Sequence, residues 1–138
     1  MATSLSLAAV AIELPDDLIW VDELAWSPIR QKKGYSIEGA LIVDRFVLQA
    51  GRPITLIGNE RRSWVARGKL LALQAWASLP TDPVFTLRLH GIDRQVIFDL
   101  GEAANTTEGA VRGEPVFPFA DPEDEDAYCS VELRFMEI

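Results

Sequence analysis

Apolar and polar positions alternate with period two in a hairpin and in the last strand of this chain, and one stretch shifts to a helical period. Phe85, Leu87 and Leu89 alternate with Thr86, Arg88 and His90, and Val96 and Phe98 share one face of the run that follows. Near the C-terminal end, Cys129, Val131, Leu133 and Phe135 alternate with Tyr128, Ser130, Glu132 and Arg134. Successive side chains of a strand point to opposite faces, so each run predicts a half-buried strand. Residues 8–14, 18–22, 35–48 and 53–57 are rich in β-branched, aromatic and leucine residues and predict four more strands. Residues 1–7 read as a short tail running into the first of these.

Turn chemistry separates the strands. Pro15-Asp16-Asp17 and the polar Gln31-Lys32-Lys33-Gly34 form turns, Gly39 marks a bulge or a close backbone approach, and Gly91-Ile92-Asp93 turns a hairpin. Pro28 removes a backbone donor and holds Ser27 extended. The helical stretch covers about residues 64–79. Ala66, Leu70, Leu73, Trp76 and Ala77 gather on one face, Ser63 is the candidate N-cap, and Leu79-Pro80 stops it. Gly68 either permits close packing or marks a late helix start. Residues 102–113 read as a loop, 114–119 as an extended edge containing prolines, and 121–126 as an acidic loop.

The expected fold is mainly β (α+β): an antiparallel β-sandwich or small barrel of seven to nine short strands with one covering α-helix. One domain spans 1–138, and the N-terminal and C-terminal strands are expected to pair.

Composition narrows the function. The net charge is −8, which argues against nucleic-acid binding and against docking on an anionic membrane surface, since both need a positive footprint. No apolar run approaches the roughly 20 residues that span a bilayer, so membrane insertion is not expected. The start MATSLSLAAVAIELP lacks a basic segment and is cut short by Glu13, Asp16 and Asp17, so synthesis in a bacterial or host cytoplasm without export is expected.

Candidate chemistry is sparse. A single cysteine, Cys129, rules out an intrachain disulfide, and the sole histidine, His90, reads as a turn residue. Asp16-Asp17 and Asp22-Glu23 are paired carboxylates in exposed turns, not two groups facing one cleft. The acidic loop lacks the spacing and glycine of a calcium-binding EF-hand. No catalytic, metal-binding or cofactor-binding residue is therefore expected, and no cofactor. The candidate interface residues are Trp20, Trp26, Arg61, Arg62, Asp121, Glu123, Asp124, Glu125 and Asp126. The four tryptophans are many for this length: core packing is the first reading of each, and any that is exposed marks an interface or a sugar-stacking platform. Arg61 and Arg62 oppose a helix dipole, so they suit acidic groups on another copy better than they suit helix stability.

Five segments carry a resemblance: LPDDLIWVDELAWSPIRQ, GALIVDRFVLQAGRPITLIG, Trp64 with its helix, FTLRLHGIDRQVIFD and VFPFADPEDEDAYCSVELRFMEI. Together they resemble small tail and baseplate proteins of tailed bacteriophages, in particular distal-tail-like, ring-forming β-sandwich proteins. The chain is shorter than a typical distal tail protein, which has an additional C-terminal domain. The resemblance implies a non-enzymatic virion protein at the tail tip. It would assemble with itself into a ring and connect tail tube, hub and fibre proteins, with the 102–113 and 121–126 loops at contacts. The alternative is a carbohydrate-binding module at the tail tip that stacks Trp20 and Trp26 on a host surface glycan.

Overall fold

The computed structural model describes residues 3–81, 83–100, 109–118 and 120–138. Among them, eleven strands and one helix follow in the order β1 (Thr3–Leu7), β2 (Val10–Leu14), β3 (Ile19–Trp20), β4 (Ile29–Tyr35), β5 (Leu41–Val47), β6 (Arg52–Ile57), β7 (Val65–Ala66), α1 (Arg67–Ala77), β8 (Phe85–Leu89), β9 (Ile92–Phe98), β10 (Val111–Pro115) and β11 (Ala127–Glu137). Nine strands form one antiparallel sheet with the path β2-β1-β8-β9-β11-β6-β3, with β7 and β10 also on β11; β4 and β5 form a separate two-stranded ribbon.

Chain connectivity forces the large sheet to roll up. β2 and β3 are its two outermost strands, yet only residues 15–18 join them. Laid flat, seven strands at about 4.8 Å spacing would put these edges about 29 Å apart. Five Cα–Cα steps reach about 17 Å at most. The sheet therefore curls until its edges approach, without β2 pairing with β3, and encloses an apolar interior. The link is pinned by side chains: the Asp16 carboxylate accepts a bond from the Thr3 amide at 2.9 Å, and Asp17 accepts one from the Ser63 hydroxyl at 2.7 Å. The result is a mainly β, sandwich-like fold, open along one seam, with one helix packed on it.

β11 is the spine. Its first residues pair with β7 and β10, and its last with β6 and β9. The alternation read from its sequence decides what it buries: Cys129, Val131, Leu133 and Phe135 are buried and their neighbours are not. A bulge interrupts it where Ser130 and Val131 stand opposite the single residue Gly113, and Ser130 takes φ +51°. A Cβ at Gly113 would lie 3.0 Å from a Leu70 methyl, so this glycine lets the helix settle on the bend. Beneath it the aromatic rings interlock, with Trp76 on Phe85 at 5.5 Å, and Phe98 5.0 Å from both Phe85 and Phe135.

Several expectations shift. Residues 3–7 are not a tail but strand β1, paired with β2 and β8, because Thr3 and Leu5 alternate into the core with Ser4 and Ser6 outside. β1 does not pair with the C-terminal strand. The helix starts at Arg67, not near 64, because Val65 and Ala66 extend to pair with β11. Ser63 is not its N-cap; it is buried at φ +59° and bonds to Asp17. The orphan amides of the first helical turn instead find the acidic loop: Arg67 and Gly68 donate to the backbone carbonyls of Asp126 and Asp124, each at 2.9 Å. Both readings of Gly68 hold: the helix starts late, one residue before it, and a Cβ there would lie 3.2 Å from the Asp124 Cβ. The β8–β9 turn is tighter than expected, two residues, His90 and Gly91, with φ of +52° and +77° as a type I′ hairpin requires.

The largest displacement concerns residues 29–47. Gln31, Lys32, Lys33 and Gly34 are strand, not turn. The turn lies at residues 36–40, where the Ser36 carbonyl accepts from the Gly39 amide at 2.9 Å, Gly39 takes φ +85°, and the Ser36 hydroxyl accepts from the Ala40 amide at 3.0 Å.

Candidate interface

The β4–β5 ribbon is an arm. Its seven residue pairs run from Ile29–Val47 at the base to Tyr35–Leu41 near the tip, and the Leu48 amide closes the base on the Pro28 carbonyl at 2.7 Å. Among the described residues, the two strands pair only with each other. Tyr35, Leu41, Ile42, Val43, Phe46 and Val47 are 40 to 76% exposed, and Ile37 in the turn is fully exposed. The alternation puts Ile29, Tyr35, Leu41, Val43 and Val47 on one face and Ile42 and Phe46 on the other. Laying either face on the body would leave the other in water. A two-stranded hairpin is marginally stable on its own, and exposed apolar clusters of this kind mark interaction sites.

Basic residues interleave with these apolar ones. The arm has Arg30, Lys32, Lys33 and Arg45 against Glu38 and Asp44, a net +2, so the remainder of the chain carries −10. The sequence pattern reads residues 31–34 as a turn and 35–48 as a strand of the sandwich. The signal that marks an arm is the lack of a consistently polar face in either alternation set.

The acidic loop is a built element. The Asp126 carboxylate accepts from the Glu123 amide at 2.7 Å, and Asp124 pairs with the Arg67 guanidinium at 3.2 Å. Asp121, Glu123, Asp124 and Glu125 are exposed, whereas Asp126 is half-buried in the turn it stabilises. Carboxylates beside a helix N-terminus also complement the positive end of its dipole. Next to this loop, a groove of about 320 Å³ runs between α1 and β10, lined by Leu70, Leu71, Val111 and Tyr128 with Arg67 and Arg112 at its sides. Both arginines are paired, Arg67 with Asp124 and Arg112 with Glu132 at 3.4 Å.

Trp20 is not the exposed side chain an interface or sugar platform needs. It is 7% exposed. The Arg52 guanidinium lies 4.6 Å and that of Arg94 5.1 Å from its ring centroid, and His90 stacks on it at 6.3 Å. Arg94 is paired with Glu137 at 3.1 Å, and Arg52 donates to the Glu23 carbonyl at 2.8 Å. The core face of β6, β11 and β9 thus ends in a charged layer of Arg52, Glu137 and Arg94 around an indole. Trp26 is half-buried beside this layer, in a small cleft with Gly51, Arg52, Glu137 and Ile138 at the root of the arm.

Arg61 and Arg62 are exposed in the turn after β6, where the Asn59 carboxamide oxygen accepts from both their amides, at 2.8 and 2.9 Å. That turn lies towards the start of β11, since the Ser130 amide donates to the Asn59 carbonyl at 3.3 Å. Arg61 and Arg62 therefore share one end of the body with the acidic loop, and the arm springs from the other. Residues 101–108, most of the loop expected at contacts, lie outside the described residues; Val111–Pro115 is strand β10.

Other surfaces offer little chemistry. An apolar cleft of about 180 Å³ lies against Trp76, Leu79, Phe85 and Leu100, smaller than the roughly 300–1,000 Å³ of small-molecule sites. Among the described residues no group of three or more His, Cys, Asp or Glu side chains is placed to hold a metal ion, and no helix is long and apolar enough to cross a membrane. No family model, curated protein or solved structure matches the chain.

Proposed function

We propose that this chain is a non-enzymatic structural protein of a bacteriophage tail tip or baseplate. It is made in the host cytoplasm, assembles with itself into a ring in the virion, and connects tail tube, hub and fibre proteins. The observation that carries the self-associating part is the β4–β5 arm, with apolar residues on both faces and paired with no other described strand. The sequence resemblance supplies the tail setting. The edges of β2, β3 and the arm, unpaired among the described residues, offer backbone groups for strand addition by neighbours. The sugar-binding alternative loses support, because Trp20 is enclosed by two arginines and Trp26 is half-buried.

Light scattering across a concentration series tests the reading, with negative-stain microscopy of the largest species. A discrete multimer with ring-shaped particles is expected. A protein that stays monomeric at the highest soluble concentration sinks it, and glycan binding by that monomer would revive the alternative.

A further inference from the structure

The arm and the acidic loop sit at opposite poles of one body. The arm's return strand leads through residues 48–51 into β6, whose first residue Arg52 pairs with Glu137 at the end of β11, and the Gly51 amide donates to the Glu137 carbonyl at 2.9 Å. The acidic loop runs directly into Ala127 at the start of β11. Eleven residues of strand, less a bulge, separate the poles by about 30 Å at the usual rise per residue.

The arm cannot close that distance on its own molecule. Arg30, Lys32 and Lys33 lie within four residues of its base at Ile29, about 13 Å along the strand. Even folded flat along the body, these cations stop well short of their own acidic loop. Another copy has no such constraint. On the arm, apolar side chains are interleaved with unbalanced positive charge. From Val111, opposite Leu133 midway along the body, to Tyr128 beside the acidic loop, the groove that Leu70 and Leu71 also line has its own arginines already paired, and at its far end stand the exposed carboxylates of Asp121, Glu123 and Glu125.

We infer that the β4–β5 arm of one copy docks on the α1–β10 groove and acidic loop of a second copy, head to tail. The inference rests on the self-association proposed above and names its two surfaces. Such a contact is heterologous: each copy offers one arm and one pole, so the association continues until rotation closes a ring. Apolar residues of the arm fill the groove and its cations meet the carboxylates, which steers the encounter and makes it weaken with salt.

A charge swap tests it. One variant reverses the arm (Arg30→Glu, Lys32→Glu, Lys33→Glu) and a second reverses the pole (Asp121→Lys, Glu123→Lys, Glu125→Lys). Asp124 and Asp126 are left alone because they hold the helix start. Each variant alone is expected to need at least about tenfold more protein for half-assembly, and an equimolar mixture is expected to recover association. Near-ultraviolet circular dichroism checks that both remain folded. The docking inference is overturned, with self-association intact, if either variant alone assembles like the unmodified chain, or if the folded variants stay apart when mixed. If the unmodified chain is itself monomeric, both the docking and the reading beneath it fall. Carbodiimide coupling of mixed light and heavy-isotope protein adds a direct readout: Lys32 or Lys33 joined to Asp121, Glu123 or Glu125 between copies is expected, and links within one copy alone overturn it.

Discussion

The arm and the spine are both long antiparallel strands in one chain, yet they use the same residue types to opposite ends. On β11 every second side chain is buried, and the strand is hydrogen-bonded to four others. On β4 and β5, apolar residues occur on both faces and nearly every one faces water. β11 spends its apolar surface on folding, whereas the arm leaves its own exposed, which is the surface proposed for association.

Mutation should separate the two regions by size of effect. The largest loss is expected at Phe135, which is 1% exposed and packed against Phe98: Phe135→Ala should cost about 3–5 kcal/mol by denaturant unfolding. An intermediate loss is expected at the β3 edge. The Asp22 carboxylate accepts from the Thr55 amide at 2.9 Å and from its hydroxyl at 3.0 Å. Asp22→Ala leaves both part-buried donors without that partner and should cost about 1–3 kcal/mol in the same assay. The smallest is expected on the arm, where Phe46→Ser should change unfolding free energy by no more than about 0.5 kcal/mol while weakening association in a sedimentation experiment. A large folding loss at Phe46 would erase the distinction and mean that the arm belongs to the core.

The same contrast explains how much was legible beforehand. Phe85, Leu87 and Leu89, and the buried set of β11, were readable because one face meets the core and the other meets water, so alternation carries information. Leu70, Leu73 and Trp76 were readable for the same reason at helical period. On the arm both faces meet water, so alternation says nothing about register. Gln31-Lys32-Lys33 then looked like a turn, and the real one hid around an exposed Ile37. β1 was missed because its alternation is short and lies at the chain end. The helix start was beyond local reading: its first two amides are satisfied by carbonyls of Asp126 and Asp124, far along the chain. The burial of Trp20 likewise depends on Arg52, His90 and Arg94, which only the rolled sheet brings together. The proposed tail-tip setting rests on resemblance alone, and the geometry of side chains adds no chemistry to it.

The position of β11 has a mechanical consequence. In a head-to-tail assembly, a pull entering through an arm root beside Glu137 and leaving through the acidic loop before Ala127 runs lengthwise along this strand. Its hydrogen bonds to β6 and β9 on one stretch, and to β7 and β10 on the other, lie across that direction. In that proposed arrangement they would be sheared together, not peeled apart one after another, so the body would resist a pull along this line.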